Sequence, residues 1–84
     1  MIKYKDKNNK LILENNYVYV DEKICKVMTC DDGTILYEEL YYSNSLNDLE
    51  LLDNPLYPDA YTSDEVEIVS KEKAIEILNI IEEF

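Results

Sequence analysis

Residues 24–42 read ICKVMTCDDGTILYEELYY, two β-prone runs separated by Asp31-Asp32-Gly33. Asp-Gly between such runs is typical of a β-hairpin, because Asp, Asn and Gly tolerate the left-handed backbone of a tight turn. A two-residue turn at Asp32-Gly33 predicts that Met28 faces Tyr37 across the strands. Neither face of this hairpin is wholly polar. We therefore expect both faces to be partly covered, as in a small curled sheet or partly open barrel.

Shorter β-prone runs lie on either side of this hairpin. We predict strands at residues 2–5, 11–13 and 17–20, separated by Asn-rich turns, and another at residues 65–69. Residues 43–64 contain several Leu and both Pro. This composition predicts a long loop with one or two helical turns near its start. Such a loop is either a functional surface or a plug that packs its Leu and Tyr side chains against one end of the sheet.

The segment after Ser70 has the clearest helical pattern in the chain. Ser70 is a good N-cap, and Glu72 lies near the positive end of the helix dipole. The apolar residues recur at helical spacing; they are Ala74, Ile75, Ile77, Leu78, Ile81 and Phe84. We predict a helix over Lys71–Glu83 that packs on the sheet. The fold class is therefore α+β, one domain over residues 1–84, with an antiparallel curled sheet of five to six strands and one C-terminal helix.

Composition excludes several functional classes. The chain has a net charge of −11, and its 8 basic residues are all Lys. Direct binding to nucleic acid needs many Lys or Arg against the phosphates, so it is not expected. The chain has no His and 1 Gly, which removes the commonest general acid–base residue and the glycine-rich phosphate loop. Glu38 and Glu39 are adjacent, so on a strand they point to opposite faces. We predict a protein that is not an enzyme and has no cofactor.

The two cysteines indicate a reducing compartment, and the chain's hydropathy indicates a soluble protein. On one strand, Cys25 and Cys30 would lie about 16 Å apart, beyond the reach of a disulfide. No secretory signal and no run of about 20 apolar residues is present, so we expect a soluble, cytoplasmic protein with two free thiols. Asp31-Asp32-Gly33 lacks the 12-residue calcium-loop pattern. No metal is predicted.

The charges are unevenly distributed along the chain. Residues 1–10 contain four Lys, whereas no basic residue occurs between Lys26 and Lys71. The interval holds eleven acids: Asp31, Asp32, Glu38, Glu39, Asp48, Glu50, Asp53, Asp59, Asp64, Glu65 and Glu67. Solubility alone explains an acidic surface. A stronger explanation is that the acids form the binding surface, because a groove that binds nucleic acid is lined with Lys and Arg and would attract them.

The second explanation predicts a protein-binding inhibitor that occupies the basic, nucleic-acid-binding surface of a partner, such as a nuclease or CRISPR effector. In size and charge the chain resembles the small acidic proteins with which phages and plasmids block host nucleases, among them anti-CRISPR and anti-restriction DNA mimics. Tyr beside a carboxylate would add a stacking surface for Arg. The predicted contact residues are Glu38, Glu39, Asp48, Glu50, Asp53, Tyr57, Asp59, Tyr61, Asp64 and Glu65. Tyr57 and Tyr61 could equally pin the loop to the core.

An alternative prediction is a non-enzymatic accessory, immunity or regulatory module. It would bind or dimerise through the apolar helix and the Tyr-bearing face of the sheet, with Ile77, Ile81 and Phe84 as contact residues. Such an association would survive added salt, whereas one driven by carboxylates would weaken. The sequence leaves both a monomer and a homodimer open.

Overall fold

The computed structural model describes residues 4–82, with side chains for residues 4–80. Its five strands form one antiparallel sheet in the order β4-β3-β2-β1-β5, which is curled but not closed. One helix follows, so the predicted α+β class is confirmed. The elements are β1 (Tyr17–Val20), β2 (Lys23–Thr29), β3 (Ile35–Ser43), β4 (Asp48–Leu56), two short 3-10 helices (Pro58–Ala60 and Ser63–Glu65), β5 (Val66–Val69) and α1 (Lys71–Glu82).

The β2–β3 hairpin forms, but its predicted register is wrong by one residue. The backbone N–H of Cys30 donates to the Thr34 carbonyl at 2.7 Å, so the loop has three residues rather than two. Gly33 takes φ +86° at its end, as in the three-residue loops that close on a left-handed Gly. Val27, and not Met28, therefore lies opposite Tyr37. A slip of one residue exchanges the two faces of β3 relative to β2.

The loop predicted over residues 43–64 is wrong in its first half. Residues 48–56 form the edge strand β4, so the helical turns predicted from Leu46 onward do not form in these residues. Pro55 is tolerated because an edge strand has one side without ladder bonds. Asp53 adopts φ +60° where the β3–β4 register shifts between Glu38 and Leu40. The long connection is thus a short turn, a strand and the segment 57–65.

The chain before β1 contains less strand than predicted. Residues 2 and 3 lie outside the described residues, and Lys5 and Leu11 form only an isolated bridge. This segment instead covers the outer edge of β5. The Lys7 N–H donates to the Val66 carbonyl at 2.8 Å, and the Asp6 carboxylate accepts the Ile68 N–H at 3.0 Å. One edge of the sheet is therefore closed by backbone and by a side chain that takes the place of a backbone carbonyl.

Apolar residues pack on both faces of the sheet, as the mixed hairpin pattern predicted. On one face, Ile24 and Leu40 pack with Ala74 and Leu78 of α1. On the other face lies a second cluster, which the segments 4–12 and 57–66 cover; it comprises Ile12, Val18, Val20, Cys25, Val27, Tyr37, Leu56 and Val66. The Ser70 hydroxyl accepts the Lys73 N–H at 3.1 Å, which confirms the predicted N-cap. The side chains of Ile81 and Phe84 lie outside the described part.

Candidate protein-binding surface

The ten residues predicted to contact a partner occupy three places rather than one patch. Glu38 and Glu39 point to opposite faces of β3, with Glu38 opposite Lys26 and Glu39 opposite Cys25. Asp48 joins Glu38 near the helix side of the sheet, and Glu50, which the register pairs with Tyr41, borders the same cavity. Glu39 lies beside the β4 bulge. The groups are Glu38, Asp48 and Glu50 at the helix side; Glu39 and Asp53 at the bulge; and Tyr57, Asp59, Tyr61, Asp64 and Glu65 on the segment after β4.

The helix-side acids are close to lysines that lie far away in sequence. A cavity of about 280 Å³ is lined by Asp48 and Glu50 together with Lys26 and Lys71. The Lys71 Nζ lies 3.0 Å from Asp48 Oδ1. The backbone N–H of Leu49, followed by this ammonium, lowers the pKa of Asp48. Lys26 and Lys71 lie at the two ends of the cation-free interval in the sequence. The β3–β4 hairpin nevertheless brings Asp48, an acid of that interval, close to both lysines.

Most carboxylates of the interval have no such partner among the residues that the structure describes. Within residues 4–82, only Asp48 and Glu67 of the eleven form an ion pair with a lysine. Six of the others are exposed: Asp31, Asp32, Asp53, Asp59, Asp64 and Glu65. Most of the negative charge of the interval therefore has no lysine partner on the described surface.

Three of these carboxylates are held in place by neutral donors. The Tyr4 hydroxyl donates to Asp59 Oδ1 at 2.6 Å, and the Asn54 amide donates to Glu39 Oε1 at 2.6 Å. Asp32 Oδ1 accepts both the hydroxyl and the backbone N–H of Thr34, at 2.6 and 3.0 Å. These two bonds lower the pKa of Asp32. A neutral donor orients a carboxylate without cancelling its charge, so all three groups remain fixed anions.

Two of the fixed anions line the same groove. It has a volume of about 380 Å³ and lies between the β2–β3 loop and the start of the segment after β4. We call it the acidic groove and define it by Tyr4, Asp32, Tyr57 and Asp59; Ile35, Leu36 and Pro58 also line it. Among the described residues no lysine lines it. Tyr57 is 62% exposed at its rim.

The structure separates the two roles that the sequence left open for Tyr57 and Tyr61. Tyr61 is half-buried and packs against the core cluster that contains Val66, and its hydroxyl donates to Asp21 Oδ2 at 3.2 Å. Burial, and then this bond, raises the pKa of Tyr61. Tyr61 therefore holds the segment after β4 to the sheet, whereas Tyr57 is free to contact another molecule.

Sequence reasoning missed two members of the groove. Tyr4 was predicted only as a strand residue, and Asp32 was one of the eleven acids but not one of the predicted contact residues. The signal for Asp32 was present, because Asp-x-Thr at residues 32–34 allows an Asx-type bond to the backbone. No local signal could have linked Tyr4 to Asp59, which lies 55 residues later.

The groups that could support other chemistry are either buried or dispersed. Cys25 and Cys30 are both free, as predicted, and Cys25 is fully buried. Its burial, and next the charge of Glu39, raises the pKa of Cys25 to about 12, so the thiol stays protonated. Within residues 4–82, no three His, Cys, Asp or Glu side chains are placed to hold a metal ion.

Comparison with known proteins gives no relative from which a role could be transferred. No family model, no curated protein and no solved structure is significantly similar to the chain. In the part of the chain that the structure describes, no helix has the length and hydropathy needed to cross a bilayer.

Proposed function

We propose that this protein is an acidic inhibitor that binds the basic, nucleic-acid-binding surface of a cytoplasmic partner, in the manner of an anti-CRISPR or anti-restriction DNA mimic. The observation that carries the proposal is the set of carboxylates fixed by neutral donors at Asp32, Glu39 and Asp59. Duplex DNA presents one negative charge per about 1.7 Å of its axis. A competitor for the same cationic groove needs anions that are rigid and remain charged.

Rigid placement matters because ordering a side chain on binding lowers affinity. A carboxylate that already accepts a bond from Tyr4 or Asn54 loses little further freedom when it meets a cation. A carboxylate paired with Lys would first have to give up its own counter-charge. The use of hydroxyl and amide donors in place of lysines therefore supports binding to a cationic partner better than it supports solubility, which needs only net charge.

The acidic groove supplies a site for one basic side chain of the partner. An arginine entering it would meet Asp32 and Asp59 on its donors, and Tyr57 could stack on the guanidinium plane. Aromatic and charged residues around an apolar centre are typical of the few positions that dominate binding energy. The proposed role is stoichiometric binding and not catalysis.

The proposal is tested by competition with labelled DNA. Anisotropy of a fluorescent duplex bound to purified CRISPR effectors and restriction nucleases is followed as the protein is added at several salt concentrations. The expected result is release of DNA from at least one of them, with an inhibitory concentration that rises as salt rises. The double substitution Asp32→Lys and Asp59→Lys should raise that concentration at least about tenfold, equivalent to about 1.4 kcal/mol.

The matched control reverses the same number of charges elsewhere. Glu72→Lys with Glu76→Lys alters the exposed side of α1, which packs on the other face of the sheet from Tyr4. This variant should inhibit within about threefold of the unmodified protein, about 0.7 kcal/mol. Equal loss in both variants would mean that net charge alone acts. Failure to displace DNA from any member of the panel counts against the proposal.

A second candidate is the accessory or regulatory module that associates through apolar surface. Ile80 favours it, since this helix residue is 52% exposed. The Tyr-bearing face is less suited, because Tyr17 and Tyr19 pack beneath the helix. Sedimentation velocity at low and high salt separates the candidates: a dimer that persists at high salt and is lost in Ile80→Ser favours the module.

A further inference from the structure

Residues that the structure describes close one edge of the sheet, and none of them pairs with the other edge. The outer edge of β5 is covered by the backbone of Lys7 and the carboxylate of Asp6. In the described residues β4 pairs only with β3, so its outer side has no strand beside it. An open edge carries backbone donors and acceptors that can pair with another chain.

The part of the β3–β4 hairpin that is nearest its turn extends beyond the rest of the sheet. β2 pairs with β3 only as far as Glu39, whereas Leu40–Ser43 pair with Asp48–Leu51. We call these two paired segments the arm. Leu40, Tyr42 and Leu49 pack on the helix side, and Asp48 is joined to Lys71. These contacts hold the arm rigid, although a two-stranded hairpin alone is marginal in water.

The backbone features that protect edge strands occur at the Asp53–Leu56 end of β4. Pro55 lacks an N–H, and Asp53 bends the strand with its positive φ, two common ways of blocking an edge. Residues 48–52 contain neither a Pro nor a residue with positive φ. They form an uninterrupted edge about 17 Å long. Leu51 and Leu52 along it are 53% and 47% exposed.

The charges of β4 determine which strand can bind there. β4 carries Asp48, Glu50 and Asp53 and no Lys. A second copy would place these acids beside their equivalents, and like charges on adjacent strands destabilise pairing. A segment in which Lys or Arg alternates with apolar residues would place its cations beside Glu50 and its apolar side chains on the opposite face beside Leu51.

We propose that the outer edge of β4 at residues 48–52 binds an extended basic and apolar segment of a partner protein as an added strand. Main-chain hydrogen bonds supply affinity in this mode, and alternate side chains supply selectivity. The inference goes beyond the proposed function. It concerns a different surface from the acidic groove and holds for a partner that does not bind nucleic acid.

The test uses a capped seven-residue peptide of alternating lysine and valine as the probe, with amide NMR of the labelled full-length protein. Saturable shifts and slower amide exchange are expected at residues 48–52. The same peptide N-methylated at alternate residues should bind at least about tenfold more weakly, because it cannot pair its backbone. Glu50→Lys should weaken binding by a similar factor, and Glu72→Lys should leave it unchanged.

Each other outcome overturns the inference. Equal binding of the N-methylated peptide would mean attraction by charge alone. Shifts centred on Tyr57 and Asp59 would assign the peptide to the acidic groove. Concentration-dependent shifts at residues 48–52 without peptide would make a second copy the occupant. An absence of saturable shifts at millimolar peptide would show that the edge does not bind such a strand. The DNA competition assay is independent, so failure here leaves the proposed function standing.

Discussion

Asp6 is the residue whose replacement should most damage the fold. It is 2% exposed, and its carboxylate accepts three backbone N–H groups. Oδ1 binds the N–H groups of Asn8 and Lys10, each at 2.9 Å, and Oδ2 binds that of Ile68 at 3.0 Å. The side chain therefore closes the turn at residues 6–10 and joins it to the edge of β5.

The magnitude follows from what Asp6→Ala leaves without a partner. A hydrogen bond to a charged group contributes about 1.5 to 3 kcal/mol. The Asn8 and Lys10 residues are exposed, so water can replace part of their loss, whereas the Ile68 N–H lies beneath the N-terminal segment. We expect a loss of about 3 kcal/mol in the free energy of unfolding, equivalent to a Tm lower by roughly 12 to 24 °C in a domain of this size.

The stabilisation that Asp6 provides depends on pH. Burial acts to raise the pKa of Asp6, but the N–H groups of Ile68, Lys10 and Asn8 outweigh it and hold the pKa below its ordinary value of 3.8. A carboxyl whose pKa is lower in the folded state stabilises the fold fully above the unfolded pKa. This contribution is lost as pH falls through the folded pKa. The stability gap between the unmodified protein and Asp6→Asn should therefore narrow below about pH 4.

The assay is urea denaturation followed by circular dichroism, at pH 7 and at steps down to pH 3. Lys7→Ala is the control, because it removes only the exposed ion pair to Glu67 and should change stability by less than about 0.5 kcal/mol. Two results would refute the role of Asp6 in holding this edge. One is a loss of less than about 1 kcal/mol in the free energy of unfolding of Asp6→Ala. The other is a difference in stability between the unmodified protein and Asp6→Asn that does not depend on pH.

Four further predictions follow from single features. Gly33→Ala should lower the free energy of unfolding, measured by urea denaturation, by about 1 kcal/mol, because alanine is strained at φ +86°. The added Cβ meets nothing within 4 Å and so adds no clash. Gly33→Asn should lower the free energy of unfolding less. In native protein at pH 8, iodoacetamide should label Cys30 and leave Cys25 unlabelled until unfolding, as mass spectrometry would show. The bond to Asp59 raises the pKa of Tyr4, so Asp59→Asn should lower that pKa in a carbon-13 tyrosine NMR titration. Added sodium chloride should raise Tm, because uncompensated carboxylates repel each other; a falling Tm would contradict this.

The sequence was sufficient where a local pattern and its burial agree. Ser70 as N-cap and the apolar spacing after it predicted α1, and alternation predicted β1 and β5 to within a residue. The hairpin at Asp31-Asp32-Gly33 was also predicted. Its register was not, because the Asp32 side chain binds Thr34 and favours a three-residue loop.

The strand β4 was missed for a different physical reason. Asn54-Pro55 and the unpatterned leucines favour a loop when residues 43–64 are considered alone. The strand exists because β3 offers an edge on which it can pair, and because Leu49 and Leu56 reach two different cores. Propensity is a weak constraint beside such tertiary pairing. The acidic groove could not be predicted from the sequence for the same reason, because only the fold brings Tyr4 and Asp32 to Asp59.

The manner in which the carboxylates are held bears directly on what the surface is for. A protein selected only for a stable acidic exterior gains by placing lysines beside its acids, because each pair relieves repulsion. Here Tyr4, Thr34 and Asn54, and not lysines, donate to three of the acids, so these acids are oriented while the repulsion between them remains. A cation from another molecule would relieve that repulsion. This use of neutral donors is why we propose a cationic partner in place of a purely solubilising role.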